Sequence, residues 1–239
     1  MKTVVRAFLC LLCVATLWAQ EKTWKPRLEL SYVKTSGNTN TETFSGKLDV
    51  EGAGWGNRYF LRSAYILAKD GGEENANRLT SEVRLERVFT GRFFGFVGMN
   101  YSRDRFSGYD YRFSVGPGLG FDIIQKELHS LKGLISINYL CERYSVKEKQ
   151  TNQFASVKNS ISYQWTIKEN VTFKSRAGCD FSLENSEKYF CFGEASLEVG
   201  ISSNVSIGIS YLLNYQNLPP ASEIKNTDVS FLTSMILNL

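Results

Sequence analysis

The sequence predicts an all-β fold: a closed antiparallel transmembrane β-barrel of about twelve strands, with short periplasmic turns and longer extracellular loops. Three observations carry that prediction. From Arg27 onward apolar residues recur at every second position, in runs longer than the ~5 to 6 residues usual for globular strands. Tight and longer connections alternate between the runs. The last run stays apolar on one face up to the terminal Leu239, as a lipid-facing closing strand requires.

Composition sets the limits. Of 239 residues, 43% are hydrophobic, 13% aromatic and 22% charged, and four are Pro, which excludes a disordered chain. No segment reaches the roughly 18 to 20 apolar residues of a spanning helix, a limit that says nothing about strands. Residues 1–19 are a separate unit: Lys2 and Arg6, an apolar run from Ala7 to Ala19 broken only by Thr16, then Gln20-Glu21-Lys22. This pattern predicts a signal peptide cleaved after Ala19, leaving 20–239 as the barrel. Its removal takes Lys2, Arg6, Cys10 and Cys13, lowering the formal charge from +4 to +2 and the cysteines from five to three. A near-neutral chain without a basic stripe argues against nucleic acid as a partner, and three cysteines are too few for a disulfide scaffold.

The strands follow in order. The first, 27–34, opens on Leu30-Ser31-Tyr32. The second to fourth, 41–51, 58–68 and 78–89, set Lys47, Asp49 and Glu51, then Arg58 and Arg62, then Arg78, Glu82, Arg84 and Glu86 on the polar face. Across the fifth and sixth, 92–104 and 109–124, this charged wall thins to Gly98, Gly116, Gly118 and Gly120, leaving space for Phe94, Phe96 or water. The sixth places Tyr109, Tyr111, Phe113, Val115, Pro117, Leu119, Phe121 and Ile123 together on its apolar face, and Pro117, which forfeits a ladder hydrogen bond, predicts a bulge. The seventh and eighth span 130–144 and 154–167. In the ninth, 170–183, Val171, Phe173, Ala177, Cys179 and Phe181 alternate with Thr172, Lys174, Arg176, Gly178 and Asp180. The tenth spans 188–202; the eleventh, 204–215, alternates Val205, Ile207, Ile209 and Tyr211 with Ser206, Gly208 and Ser210. The twelfth, 228–239, carries Phe231, Met235, Leu237 and Leu239 outward and resembles the terminal signal for outer-membrane assembly, with Leu239 in place of its usual final aromatic.

The connections at Thr90-Gly91, Gln125 to Glu127, Lys168-Glu169 and Ser202-Ser203 are tight, while Gly52 to Asn57 is longer than that end prefers. Longer polar loops are expected at Ser36 to Asn40, Asp70 to Asn77, Ser145 to Gln153 and Gln216 to Thr227; the last, with Pro219 and Pro220, is long enough to fold over the mouth. The apolar faces are collectively too bulky for the inside of one small barrel, so they face lipid. Trp165, Tyr59 and Phe93 at one end, and Tyr65, Tyr109, Phe181 and Tyr189 at the other, fit two interfacial girdles.

Leu30-Ser31-Tyr32 followed by Thr35-Ser36-Gly37-Asn38-Thr39-Asn40, the glycine strand Gly116-Pro117-Gly118-Leu119-Gly120, and Pro219-Pro220 ahead of Lys225-Asn226-Thr227-Asp228 resemble the domain-of-unknown-function family 481. Its members are described as salt-induced outer-membrane proteins. The resemblance implies an outer-membrane barrel and no established activity, so it transfers no functional residue.

Three classes of function remain. A narrow pore for small solutes would use the wall of Lys47, Asp49, Glu51, Arg58, Arg62, Arg78, Glu82, Arg84 and Glu86 beside Gly116, Gly118 and Gly120; the same residues, fully paired, would make a closed lattice serving an envelope or osmotic-stress role. A lipid-modifying enzyme needs a His within reach of a nucleophile, and His129 with adjacent Ser130 sits at a turn with the two facing opposite sides. A surface-binding protein would act through loops that here lack aromatic anchors. Asp70-Gly71-Gly72-Glu73-Glu74-Asn75 lacks the ligand spacing of a calcium loop, and no cofactor is indicated. The expected partners are outer-membrane lipid and lipopolysaccharide and the assembly machinery, with the barrel a monomer. Cys179 and Cys191 are equidistant from Asn185 on the apolar face: a hairpin centred there sets them opposite each other, able to bridge, while a one-residue shift separates them; cysteine suits lipid contact, so free thiols are the favoured expectation, with Cys141 left unpaired.

Overall fold

The computed structural model describes residues 23–35, 40–145 and 150–239. The leader, its cleavage point and the loop tips at 36–39 and 146–149 lie outside the described residues. Twelve strands hold most of the described residues: β1 (Thr23–Lys34), β2 (Thr41–Gly54), β3 (Asn57–Asp70), β4 (Glu73–Val88), β5 (Phe93–Asp104), β6 (Tyr109–Gln125), β7 (His129–Tyr144), β8 (Thr151–Lys168), β9 (Val171–Ser182), β10 (Tyr189–Gly200), β11 (Val205–Gln216) and β12 (Thr227–Asn238). Each pairs antiparallel with its neighbours in sequence, and β1 pairs β12, so the sheet closes into a barrel.

The period-two pattern decides which face is which. Val97, Ile137, Tyr211 and Phe231 are 52%, 61%, 47% and 67% exposed, whereas Glu86, Glu142 and Ser156 are fully buried. A water-soluble barrel would reverse that arrangement, because exposed apolar area on this scale is unfavourable outside lipid. The charged face therefore lines the interior and the apolar face forms the wall.

The connections alternate as topology demands. At one end lie Trp55–Gly56, Phe89–Arg92, Lys126–Leu128, Glu169–Asn170 and Ile201–Asn204, together with both ends of the barrel sheet. The other end carries the loop of 217–226, the longest, and also a two-residue turn that the sequence reading takes for a longer loop. The stretch from Asp70 to Asn77 is a hairpin closed by Gly71 and Gly72, with φ of 58° and 92°, and its charged residues continue β4 above the apolar band. Gly52 to Asn57 also tightens into a two-residue turn, where Trp55 and Gly56 take φ of 54° and 72°.

Two further expectations fail for local reasons. No bulge forms at Pro117: the β6–β7 register is the same at Val115↔Tyr139 and at Gly118↔Ser136, and Pro117 stays opposite Val97 of β5. The β6–β7 ladder is irregular instead near both ends of β6, between Tyr109 and Tyr111 and between Asp122 and Ile124, and the first irregularity turns Tyr109 inward, only 2% exposed, against Tyr144 and Phe190. Tyr109 is thus not in the girdle; Trp165, Phe93 and Phe181 are exposed on the wall.

Candidate functional site

The interior is built from polar-face residues of all twelve strands, and ring closure brings distant segments together. Arg176 on β9 donates through Nη1 to Glu82 on β4 at 3.0 Å, although these strands stand nearly opposite in the ring. Lys47 on β2 reaches Glu194 on β10 at 2.6 Å, and Arg27 on β1 reaches Glu198 on β10 at 2.6 Å. These pairs cross the lumen and are tied together along the walls. Arg62 binds Asp49 at 2.6 Å; Arg84 bridges Glu82 and Glu86 at 2.8 and 2.9 Å; Arg58 bridges Glu86 and Asp122 at 2.7 and 3.1 Å. The result is a continuous ionic waist in which each acid touches one or more cations.

The glycine strand explains how so many long side chains fit. A Cβ on Gly118 would overlap the Phe96 ring and the Ile135 carbonyl, and one on Gly120 would overlap the Phe94 ring. Phe94 and Phe96 therefore lie flat over β6, and they fill the space the sequence leaves beside the glycines. Cations lie over these rings and over Phe60 of β3: Arg58 sits 4.3 Å from the Phe94 centroid, and Arg84 sits 5.9 Å from that of Phe96 and 4.6 Å from that of Phe60. The charged wall and the aromatic wall are one structure.

Other sequence-predicted residues lie outside this waist. Glu51 is exposed at the short-turn rim and makes no ion pair among the described residues. Arg78 stands at the opposite mouth, bound to Asp104 at 2.5 Å and Asp228 at 2.8 Å. Gly116 packs against the Ile137 carbonyl and exposes no function of its own.

Above the waist, toward the loop end, lies a cavity of about 320 Å³. Its floor includes Lys47, Arg62, Glu82, Arg176 and Glu194; Leu140, Phe190 and Phe192 form one wall. Lys158 donates to the side-chain Oδ1 of Asn100 at 2.9 Å and has no ion pair among the described residues. Lys188 enters from the β9–β10 loop, pairs with Glu142 and donates to Tyr144 Oη at 2.9 Å.

The loop 217–226 covers this vestibule. It starts at β11 and packs Pro220 and Ile224 onto Gly108, in the β5–β6 turn on the far side of the mouth. Gly108 has φ of +83°, and a Cβ there would stand 2.9 Å from Pro220 Cγ and closer still to Ile224. The base of the lid is pinned where Asn226 Nδ2 donates to the Gln216 and Asn217 carbonyls at 2.8 and 3.0 Å, and Asn217 Nδ2 donates to the Glu187 carbonyl at 2.8 Å.

The remaining candidates resolve simply. His129 opens β7, shares a 2.8 Å hydrogen bond with Tyr163 Oη and stacks on Trp165, so its partners are aromatic girdle residues and not a serine. Glu74 is taken by Arg105 at 2.9 Å. The expectation of free thiols on β9 and β10 is overturned: Cys179 and Cys191 are directly opposite, 4.1 Å apart at Cα, and form a disulfide, while Cys141 is free. The hairpin is centred so that the two outward side chains coincide, a geometry that decides the pairing once the register is fixed.

Alternation along the sequence assigns one wall of the waist, β2–β4, and leaves the facing wall unassigned. Arg176 and Glu194 lie 94 and 147 residues along the chain from their partners Glu82 and Lys47, and Arg27 lies 171 residues from Glu198. The signal was present: Lys174, Arg176 and Asp180 occupy the polar face of β9, and closure of the ring puts that face opposite β4.

An apolar exterior, a polar interior and a closed twelve-strand ring define a membrane β-barrel of the outer-membrane type. Residues 28–238 match the family described as "Protein of unknown function, DUF481", and the chain belongs to that family. A curated relative, the uncharacterized protein YdiY of Escherichia coli (strain K12), is 20% identical over 208 residues, 87% of this chain and 80% of its own. Among solved structures the fold is similar to the NanC porin (TM-score 0.54, 11% identity, 91% of this chain and 100% of that chain). It is equally similar to the COG4313 outer membrane channel from Pseudomonas putida F1 (TM-score 0.54, 6% identity, 91% of this chain and 95% of that chain).

Proposed function

We propose that the protein is a narrow outer-membrane channel for small solutes, closed in this state by the ionic waist and the 217–226 lid. The observation that carries this reading is the lumen itself. An eight-stranded barrel is filled by its side chains, whereas this wider ring spans its middle with charged pairs and keeps a cavity of about 320 Å³ above them. Such a cavity lies at the lower end of the size range of small-molecule pockets. Ion pairs are also the kind of plug that a solute or a field can rearrange, because each cation has alternative acids within reach: Lys47 lies 2.6 Å from Glu194, 3.6 Å from Glu29 and 3.8 Å from Asp49.

In this reading the chain is exported, loses its leader after Ala19, and works as a monomer in outer-membrane lipid and lipopolysaccharide without catalysing a reaction. The lid faces outward and the short turns face the periplasm. Conductance of purified protein in planar bilayers tests the proposal. Discrete openings above background are expected, enlarged when Glu194→Gln loosens the waist; silence from both proteins would end the channel reading.

A further inference from the structure

The ladder that closes the barrel is incomplete. β1 and β12 pair only from Arg27↔Asn238 to Leu30↔Met235, whereas β1 pairs β2 along its whole length, from Thr23↔Ala53 to Lys34↔Glu42. Continued in register, Tyr32 would face Thr233 and Val33 would face Leu232, and neither pair forms. In a bilayer an unpaired backbone stretch is tolerated only where it borders a cavity or another polar medium.

Behind this seam a small space of about 30 Å³ has an apolar side, formed by Ala64 and Ile66 of β3, Leu212 of β11 and Leu232 of β12, and a polar side formed by serines and by Glu29, Lys47 and Glu194 of the waist. Ala64, Ile66 and Leu212 also line the large vestibule, so the apolar surface runs from the vestibule to the seam. Val33, whose alternation places it on the inner face of β1, is 46% exposed, and Tyr32 and Phe231 on the outer side are 63% and 67% exposed. The axial routes are obstructed, by the lid above and by cross-lumen ion pairs below. The unpaired seam is the exit that breaks no interstrand hydrogen bond.

We infer that the loop-end half of the β1–β12 seam is a lateral opening through which an apolar or amphipathic small molecule passes between the vestibule and the outer leaflet. Ala64, Ile66, Leu212 and Leu232 form its slide. This deepens the channel reading by giving the solute class and the direction of travel. Its test needs no ion current, so a barrel that does not conduct still passes or fails it.

The test measures cysteine labelling from the bilayer, on folded protein in lipid vesicles carrying Cys141→Ser, with folding checked by heat-modifiable mobility. Leu212→Cys, behind the seam, and Leu140→Cys, on the far wall, are reacted with N-(1-pyrenyl)maleimide dissolved in the membrane. The expected result is labelling at 212 at least tenfold faster than at 140. Oxidising an added Tyr32→Cys/Thr233→Cys pair across the seam should then slow labelling at 212 at least tenfold and leave 140 unchanged. If Leu212→Cys folds poorly, Ala64→Cys serves the same comparison. Equal rates at the two walls, or a rate at 212 indifferent to the staple, would overturn the proposal.

Discussion

At the scale of single residues the interior is governed by fit and by charge pairing, and each makes a prediction. Gly118 has no room for a side chain beneath Phe96 and the Ile135 carbonyl, so Gly118→Leu is expected to lower stability by about 1–3 kcal/mol, read as a lower urea midpoint in micelles. Glu194 holds Lys47 at 2.6 Å and approaches Arg176 at 3.8 Å and Arg62 at 3.9 Å. Glu194→Gln removes the acid these cations share, but Lys47 keeps Glu29 and Asp49, Arg62 keeps Asp49 and Arg176 keeps Glu82, so the expected cost is below the roughly 3 to 5 kcal/mol of a buried charge left without a partner. The same urea titration should register that loss, alongside the larger conductance proposed above. The charges of β2–β4 are legible in the sequence because alternation assigns their face. Their partners are not, because which wall faces which is fixed only by strand number and closure.

At the scale of elements the disulfide and the lid carry the predictions. The bridge joins residues separated by 12 positions, and closing a loop of that order stabilises by about 3 kcal/mol at most in the chain-entropy picture. With the leader removed, denatured protein should show one reactive thiol, Cys141, before reductant and three after it; three before reductant would contradict the bridge. Gly108→Val should displace Pro220 and Ile224 and free the lid, which limited proteolysis would register as faster cutting within 217–226. Strand existence is legible throughout, since period-two alternation survives in every element. What alternation misreads is local. One irregularity between Tyr109 and Tyr111 flips a tyrosine from lipid to lumen, and two glycines let a charged stretch turn in two residues and continue as strand.

At the scale of the whole molecule, modest charge and moderate hydrophobicity resolve into two surfaces, an apolar wall and an ionic interior, read alternately along one chain. Their separation accounts for the membrane barrel, and the interior's mixture of cross-lumen pairs and open vestibule accounts for the proposed channel. The proposed channel requires this interior to be a constricted path and not a sealed core. Single-channel recording of the unaltered protein beside a variant combining Glu194→Gln with removal of residues 218–225 tests it most directly. Small discrete openings are expected in the first and openings several-fold larger in the second. Both proteins folded and both silent would contradict it.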